Sequence, residues 1–312
     1  MLSHYDMSDL KSAYWNSTEK FHPELLEELG ADFLEQRGNL FLSKKPARKL
    51  VWAHATWSDA QIIEIASIGD AVKKLRELSK SPWAHAPIEH PRRATLIEDQ
   101  LNTKAINARL RGSIDFLEAR KGRLGAFALL EPNLMIASAV TDTYVPQNEP
   151  QFNESSEAPS RAYLKLWDFF TLHGARPKTN ETCLDLGASP GGWTWVLAKL
   201  GAQVTSLDRA DLAPHVAALK NVRLLKKDAF KMTPEKTDWL FSDVICEPRR
   251  LLELVHAWRE AGACENFVCT IKFKGETDFK VLNDFLKIEG SHARHLFHNK
   301  HEVTWWSLGP LR

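Results

Sequence analysis

The segment DLGASPGGW at residues 185–193 constrains the fold of this chain more than any other part of the sequence. It follows the apolar segment TCL and precedes residues with helical periodicity, so it predicts a turn between a strand and a helix. Glycine in such a turn lets a ligand approach the backbone, and the helix N-terminus offers unpaired N–H groups. The segment lacks the lysine of a phosphate-binding loop and the GxGxxG spacing of a dinucleotide site. It therefore indicates a ligand with a carboxylate and a ribose rather than a pyrophosphate.

Strands and helices alternate through the C-terminal half of the sequence. We predict strands at 182–188, 202–208, 222–228, 238–245 and 266–273, helices at 161–173, 191–200 and 249–262, and a final strand pair in HARHLFHN and EVTWWSL. This alternation predicts an α/β domain with a mostly parallel sheet covered on both faces. Ligands of such sheets bind beyond the carboxyl ends of the strands, so the residues at those ends are the candidates for a site.

Three acidic residues, Asp185, Asp208 and Asp228, lie at or near the ends of the first three predicted strands. Asp208 follows the glycine-rich turn by about 20 residues, where an acid commonly accepts hydrogen bonds from ribose hydroxyls. Asp228 is placed to accept a hydrogen bond from an adenine ring. A single acid at such a position often only caps a neighbouring helix. Three of them in register with the glycine-rich turn favour a nucleoside-type cofactor.

The N-terminal half has a mixed α+β pattern. We predict a helix at 22–38, two strands around a basic turn at 39–57, a helix at 70–80, a basic helical stretch at 104–123 and a hairpin at 127–140. Residues 145–159 are rich in Pro, Asn, Gln, Ser and Glu, which is typical of a linker. The predicted domains are therefore an accessory region at 1–150 and a second domain at 151–312.

The charge and the cysteine content bear on nucleic-acid binding, on disulfide or metal sites and on the cellular location. The net charge of +1 is not that of a strongly basic nucleic-acid binder, although local clusters that include Arg109 and Arg111 permit phosphate binding. The four cysteines form no CxxC pair, which argues against a disulfide framework or a zinc site, and we predict no metal. With no apolar run of signal-peptide or membrane-span length, we expect a cytoplasmic location and no membrane partner.

The segment DLGASPGGW resembles the DLGxxPGGW signature of the FtsJ-type RNA 2′-O-ribose methyltransferases, which bind S-adenosylmethionine. This resemblance implies a Rossmann-like class I methyltransferase domain with a seven-stranded, mostly parallel sheet. In it, Asp208 would hold the ribose, Asp228 the adenine, and the glycine-rich turn the methionine part. The cofactor-binding residues implied in this way are Asp185, Gly187, Ser189, Pro190, Gly191, Gly192, Trp193, Asp208, Asp228 and Asp243.

The same resemblance implies a catalytic set. A ribose hydroxyl is a poor nucleophile near neutral pH, and a lysine can activate it if burial and neighbours lower the lysine pKa. FtsJ-type enzymes carry a Lys-Asp-Lys-Glu tetrad, whose members here would be Lys165, Asp243, Lys272 and Glu302. Lys272 would activate the hydroxyl, Asp243 would orient Lys272, and the other two would position the ribose. Taken singly, each could be an ordinary surface or ion-pair residue.

Four segments narrow the resemblance: APSRAYLKL, DLGASPGGWTW, DWLFSDVICEP and HLFHNKHEVT. Together they resemble the bacterial 23S rRNA 2′-O-ribose methyltransferase M family (RlmM), which modifies a cytidine, over about residues 157–308. In that family a ferredoxin-like segment and a THUMP domain precede the catalytic domain. The resemblance implies that residues 1–150 are a reduced, THUMP-like RNA-binding region and that the partner is 23S rRNA or a pre-ribosomal particle. The oligomeric state stays open.

Other functions remain as alternatives. Cys246 lies three residues after Asp243, as in the DxPC motif of cytosine C5 methyltransferases, but Ile245 stands in place of the proline, which favours a small buried cysteine. The segment DVICEP also lacks the (D/N/S)PP(Y/F/W) motif of base amino methylation. An RNA-binding protein with a methyltransferase fold but no activity, and a methyltransferase for another RNA or a small molecule, are the remaining alternatives.

Overall fold

Two units divide the chain, Met1–Asn153 and Glu154–Arg312. The structure is a computed structural model that describes residues 9–116, 118, 120 and 122–309. The boundary between the units falls inside the stretch predicted as a linker.

The N-terminal unit is an α+β unit. Its strands and helices, in chain order, are β1 (Ser12–Trp15), α1 (His22–Leu29), β2 (Phe33–Arg37), β3 (Leu40–Ser43), β4 (Ala55–Ser58), β5 (Gln61–Glu64), α2 (Ile68–Leu78), β6 (Trp83–His85), α3 (Pro91–Leu101), α4 (Lys104–Arg111), β7 (Gly125–Glu131), β8 (Leu134–Ser138) and β9 (Val140–Thr141). Among the described residues, β2-β3-β1-β4-β9 form an antiparallel sheet. The strands β5-β8-β7-β6 form a second sheet, in which β6 runs parallel to β7.

Helices α2 and α3 share a core with the second sheet. Ala71, Val72 and Leu75 lie on one side of α2, as their spacing of one to four residues requires, and they are buried against the strand residues Phe127 and Leu129. Ser67 caps α2 by accepting a hydrogen bond from the backbone N–H of Asp70. The predicted hairpin at 127–140 is confirmed, because β7 and β8 pair in antiparallel register.

Three predictions for this half are wrong in their extent. The helix predicted at 22–38 ends at Leu29, because Gly30 has a φ of +53° that no right-handed helix continues through, and residues 33–37 form β2 instead. The basic helix predicted at 104–123 ends at Arg111. The stretch 145–159 is not an exposed linker throughout, since Asn148 is buried and its amide donates to the carbonyl oxygens of His54 and Asp142.

The C-terminal unit has the predicted α/β architecture. Its elements are α5 (Tyr163–His173), β10 (Thr182–Leu186), α6 (Gly192–Lys199), β11 (Gln203–Asp208), α7 (Pro214–Ala217), β12 (Val222–Lys226), β13 (Trp239–Ser242), α8 (Pro248–Glu260), β14 (Asn266–Lys272), α9 (Phe279–Leu286), β15 (Ser291–Arg294) and β16 (Glu302–Ser307). The seven-stranded sheet has the order β12-β11-β10-β13-β14-β16-β15. The first five strands in this order are parallel, and β16 is antiparallel to both β14 and β15. The prediction of a seven-stranded, mostly parallel sheet is therefore confirmed.

The single reversal of direction in this sheet determines which residues meet. Parallel strands bring their carboxyl ends to one edge of the sheet. Because β16 runs the other way, it begins at the edge where β14 ends, and the register pairs Lys272 with Glu302. None of the helices in the described ranges is long and apolar enough to cross a membrane.

Candidate active site

The four residues of the predicted tetrad meet at the carboxyl edge of the sheet. Asp243 follows β13 directly, Lys272 ends the neighbouring strand β14, and Glu302 begins β16. Lys165 comes from α5, which precedes the sheet in the chain, and its amine lies 2.7 Å from Oδ1 of Asp243. Residues separated by up to 137 positions in sequence (302 minus 165) therefore form one cluster of two amines and two carboxylates.

Lys165 is enclosed by the two carboxylates. Its Nζ donates to both carboxylate oxygens of Asp243, at 2.7 and 2.8 Å, and lies 3.0 Å from Oε1 of Glu302. An ammonium group has three N–H donors, so these three contacts use all of them. With 10% of its side chain exposed, Lys165 bridges the acids and has no donor left for a substrate.

Lys272 has a different environment. Its Nζ donates to the backbone carbonyl of Asp243 at 2.7 Å and lies 2.9 Å from Oδ1 of the same residue. The distance to Oε2 of Glu302 is 3.8 Å, which is an ion pair but too long for a hydrogen bond. Two positions of this amine are therefore in use and one is available, and its side chain is 20% exposed.

The electrostatic environment of the cluster favours the ionised forms of Asp243 and Lys165. Burial opposes the ionised form of Asp243, but the two lysine amines and their hydrogen bonds hold the pKa of its carboxyl below the usual 3.8. Burial likewise opposes the charged form of Lys165, yet Asp243 and Glu302 raise the pKa of its amine above the usual 10.5. Lys165 is thus an ammonium ion at neutral pH, and a lowered lysine pKa is not found at this member of the set.

Thr270 is a member of the cluster that the sequence analysis missed. Its hydroxyl donates to Oδ1 of Asp243 at 2.7 Å, and it is buried. Side chains two residues apart on a strand point to the same face, so Thr270 lies on the face of β14 that carries Lys272. This periodicity was a usable signal in the sequence, because any polar residue two positions before Lys272 would face Asp243.

The glycine-rich turn is shaped by contacts within the protein. A Cβ at Gly187, whose φ is +75°, would lie 2.7 Å from the Cα of Val244. A Cβ at Gly192 would lie 2.8 Å from the hydroxyl of Ser160, and one at Gly191 would lie 3.0 Å from Val216. These glycines were predicted to allow the approach of a ligand. The structure shows that they are first required for the turn to pack against the loop after β13 and against its other neighbours.

The remaining turn residues have definite partners. The backbone N–H of Ser189 donates to Asp208, and its hydroxyl donates to the carbonyl of Asp211. Pro190 follows Ser189 through a cis peptide bond. Trp193 is buried on α6, and its indole N–H donates to the carbonyl of Ala162. Trp193 therefore stabilises the turn through packing and a hydrogen bond within the protein.

A cavity of about 210 Å³ opens beside this turn. Its lining includes Gly187 and Val244 as well as Asp208 and Asp228. Each oxygen of Asp208 accepts a backbone N–H, from Ser189 and Ala210, while Asp228 accepts from the backbone of Phe230 and from Arg209. A carboxylate has about four acceptor positions, so both acids can accept further donors from a ligand.

Asp185 is separate from this cavity. It is fully buried in β10 and accepts a hydrogen bond from the hydroxyl of Thr194 at 2.6 Å, while its second oxygen has no hydrogen-bond partner in the described ranges. Burial raises the pKa of its carboxyl to about 7. The structure therefore brings Asp208 and Asp228 to the cavity. Asp185, for which contact with the cofactor was also predicted, points toward α6 instead.

Residues that the sequence analysis did not select complete the cavity. Ile245, which is 80% exposed, lies in its lining, and so does Phe230, whose ring is covered by the guanidinium of Arg250 at 3.8 Å from its centroid. An exposed isoleucine and an aromatic ring are suited to packing against a planar, apolar group. Cys246 is half-buried, and burial raises the pKa of its thiol to about 11, which is unfavourable for a cysteine nucleophile.

Comparison with known proteins identifies the type of domain. Residues 158–287 match the family model described as FtsJ-like methyltransferase. This segment is therefore similar to FtsJ-like methyltransferases. It contains the glycine-rich turn and three members of the cluster, Lys165, Asp243 and Lys272, while Glu302 lies beyond the matched residues. The match confirms the family that DLGASPGGW suggested.

The relatives of this chain share about half of its length. It is 32% identical over 170 residues to ribosomal RNA large subunit methyltransferase M of Halorhodospira halophila, covering 51% of this chain and 50% of that protein. The protein of the same name from Xanthomonas axonopodis pv. citri is 32% identical over 186 residues, covering 55% and 54%. The chain thus spans about half the length of the curated relatives it matches. A solved structure, magnesium protoporphyrin IX methyltransferase from Synechocystis PCC 6803 with bound SAM, aligns with a TM-score of 0.36 and 15% identity, covering 47% of this chain and 78% of that one.

Proposed function

We propose that this protein transfers a methyl group from S-adenosylmethionine to a ribose 2′-hydroxyl of RNA. The observation that carries the proposal is the contact between Lys165, Asp243, Lys272 and Glu302 at the edge of the sheet. Val244, the residue after Asp243, lines the cavity beside the glycine-rich turn, so the cluster and the cavity share one loop. A cofactor site next to a set of proton-transfer groups is what methylation of a hydroxyl requires.

The cavity is chemically suited to a nucleoside cofactor. Asp208 and Asp228 retain acceptor positions for ribose hydroxyls and an adenine amino group, and Ile245 and Phe230 offer apolar contacts. When bound, S-adenosylmethionine supplies the electrophilic methyl group. Ser189 and Gly187 belong to the turn that would hold its methionine part, whereas Asp185 would act through Thr194 and α6 rather than by contact.

Lys272 is the residue we assign to activation of the hydroxyl. Its amine has an available position, whereas the three donors of Lys165 are all in use. Lys272 would accept the hydroxyl proton as the ribose oxygen receives the methyl group that the bound cofactor supplies. Asp243 and Glu302, whose oxygens lie 2.9 and 3.8 Å from this amine, would stabilise the positive charge that results.

The substrate we propose is a cytidine of large-subunit ribosomal RNA, either free or in a pre-ribosomal particle. The names of the relatives support the class of RNA, and the resemblance of APSRAYLKL, DWLFSDVICEP and HLFHNKHEVT to the methyltransferase M family supports the nucleotide. In this proposal the N-terminal unit holds part of the RNA.

The test is methyl transfer from labelled cofactor to total RNA from a strain that lacks this protein, followed by nucleoside mass spectrometry. We expect label in a 2′-O-methylated cytidine with the wild-type protein and none with Lys272→Ala. The matched control is Lys274→Ala, since Lys274 lies two residues further on, is exposed and pairs only with Glu247 among the described residues. Label on a base, or equal activity of the two variants, would refute the proposed reaction. Cofactor binding without methylation of any RNA would favour an inactive RNA-binding protein.

A further inference from the structure

The N-terminal unit contains a cavity of about 460 Å³ that the proposed reaction does not use. It lies at the C-terminal end of α4, between the residues that follow this helix, the segment around His85 and residues 144–151. Volumes of 300–1,000 Å³ are typical of sites for small molecules, and a single nucleotide falls within this range. The cavity is thus large enough for one nucleotide.

Four arginines line this cavity: Arg109, Arg111, Arg120 and Arg123. Two acids, Glu98 and Glu149, also line it. Glu98 accepts hydrogen bonds from the backbone and ring of His85 and from Arg111. Glu149 accepts from the indole of Trp15. With four arginines and two glutamates, the described part of the lining carries a formal net charge of +2 (four minus two), so a positive charge remains.

The remaining three arginines differ in their surroundings. Arg109 and Arg123 are exposed, and neither forms an ion pair with any residue that the structure describes. Arg120 is buried, with 6% of its side chain exposed, and its contact with Glu118 spans 3.3 Å. The Nε of Arg120 is buried and has no hydrogen-bond partner among the residues that the structure describes. A buried, unsatisfied guanidinium N–H is costly in the free protein, which points to an anionic ligand that accepts from it.

The rest of the lining is mostly apolar. Tyr144 offers an aromatic ring, and Ile106, Leu110 and Pro146 offer aliphatic surface. Guanidinium groups bind phosphate through two parallel hydrogen bonds, and aromatic and apolar walls accept an unstacked base. A base is free to enter a concave site only where the RNA is single-stranded, because a duplex keeps its bases stacked inside.

We propose that this cavity binds one nucleotide of a single-stranded RNA segment, with its phosphate on Arg109, Arg120 and Arg123 and its base or ribose against Tyr144. This inference rests on the proposed function, because it assigns part of the RNA substrate to a defined place in the N-terminal unit. It extends that function by naming the single strand as the form of RNA that this unit recognises.

The test measures binding of a fluorescein-labelled single-stranded RNA decamer to the full-length protein over a range of KCl concentrations. The double variant Arg109→Gln/Arg123→Gln removes two exposed charges and leaves the buried Arg120 in place, so the fold is retained. We expect its Kd to rise about tenfold or more and the slope of log Kd against log salt to fall by about 1.4, because each phosphate contact to a single strand contributes about 0.7.

The matched control is Lys73→Gln/Lys80→Gln. It removes the same charge from the same unit at exposed positions outside the cavity lining. We expect less than about a twofold change, since only the general electrostatic attraction is reduced. Equal effects of the two double variants would overturn the proposal and leave non-specific attraction as the explanation.

Competition separates an RNA strand from a free nucleotide as the ligand. We expect unlabelled decamer to displace the probe at far lower concentration than cytidine monophosphate or inorganic phosphate. Displacement by the mononucleotide at equal concentration would overturn the assignment to a strand. If the wild-type protein methylates no RNA, the proposed function fails. The difference in RNA binding between the two double variants still decides the role of the cavity.

Discussion

The cluster at the sheet edge and the cavity of the N-terminal unit both concentrate charge, but in opposite ways. The cluster holds two lysines and two acids, and every charge contacts an opposite one within 4 Å. In the cavity the lining acids are occupied by His85, Arg111 and Trp15, and the arginines Arg109 and Arg123 have no acid among the described residues. One region is balanced internally, and the other has a surplus of positive charge.

The choice of cation follows the same division. A lysine amine can give up its proton, whereas arginine stays protonated at any pH that a protein experiences. Lysine is therefore suited to a cluster in which a proton is transferred, and arginine to a cavity that holds an anion. The roles of the two regions can therefore be distinguished experimentally by exchanging lysine and arginine in each of them. Removing Asp243, the acid that contacts both lysines of the cluster, is a further test.

Asp243→Asn is expected to have the largest effect, because it leaves Lys165 and Lys272 without their shared partner. Removing one member of a buried ion pair costs about 3 kcal/mol of unfolding free energy, and methyl transfer should fall by at least about 100-fold. Urea unfolding and the methylation assay measure these quantities. The control is Asp284→Asn on α9, whose exposed ion pairs with Arg249 and Lys287 should contribute no measurable stability.

The pH dependence of this difference is a sharper test. In the folded protein the pKa of Asp243 lies below 3.8, so its contribution is present above pH 3.8 and is lost as the pH falls through the folded-state value. The pKa of Lys165 lies above 10.5, so its contribution is lost only as the pH rises through that higher value. Wild type and Asp243→Asn should thus approach equal stability in acid. A difference that does not shrink there would contradict the assigned ionisation.

Lys272→Arg separates proton transfer from charge pairing. The guanidinium keeps the positive charge beside Asp243 but cannot accept a proton, so we expect a loss of about 100-fold or more in kcat with little change in Tm. Lys165→Arg is the companion variant, because Lys165 is already charged and its role is to bridge two carboxylates. Comparable activity of Lys272→Arg and wild type would show that the cluster, like the cavity, acts through charge alone.

Asp185→Asn tests the isolated acid beside the cluster. Burial raises the pKa of this carboxyl from 3.8 to about 7, so the wild type loses stability as the pH rises between these values. The stability of the variant relative to wild type should therefore increase from pH 4 to pH 8, by about 4 kcal/mol at most. Urea unfolding at both pH values measures it. A difference independent of pH would mean that Asp185 ionises normally.

Exchange of arginine for lysine in the cavity is expected to have the smallest effect. Arg109→Lys/Arg123→Lys keeps both charges and loses the paired hydrogen bonds to phosphate, so the Kd for the single-stranded decamer should rise only about two- to fivefold. The salt dependence should stay close to that of the wild type. A loss as large as that of the glutamine double variant would show that the cavity depends on hydrogen-bond geometry more than on charge.

Much of the C-terminal unit could be predicted from the sequence, because its signals are local and agree with one another. DLGASPGGW fixes one strand-to-helix turn, and the apolar runs around it give the neighbouring strands with errors of a few residues at their ends. The position of Lys165 followed from the resemblance alone, since nothing in the periodicity of α5 indicates that this residue faces Asp243.

The N-terminal unit was less predictable, for physical reasons. The helix predicted at 22–38 combines α1 and β2, whose short lengths make both patterns ambiguous, and the backbone conformation of Gly30 decides between them. Asn148 was assigned to a linker because it is polar, whereas its amide satisfies backbone carbonyls inside the unit. The charge surplus of the cavity depends on which arginines are paired with acids, and only coordinates can show this.

The antiparallel pairing of β16 with β14 has a consequence for how this domain tolerates change. Side chains alternate between the two faces of a strand, so a slip of one position would turn Glu302 away from Lys272 and replace it by a neighbour of different chemistry. The segment between β15 and β16 therefore helps to determine the register in which Glu302 meets Lys272. The length of this segment is therefore constrained more tightly than its composition. An insertion that shifts the pairing would disable the site even though all four residues of the cluster are still present in the sequence.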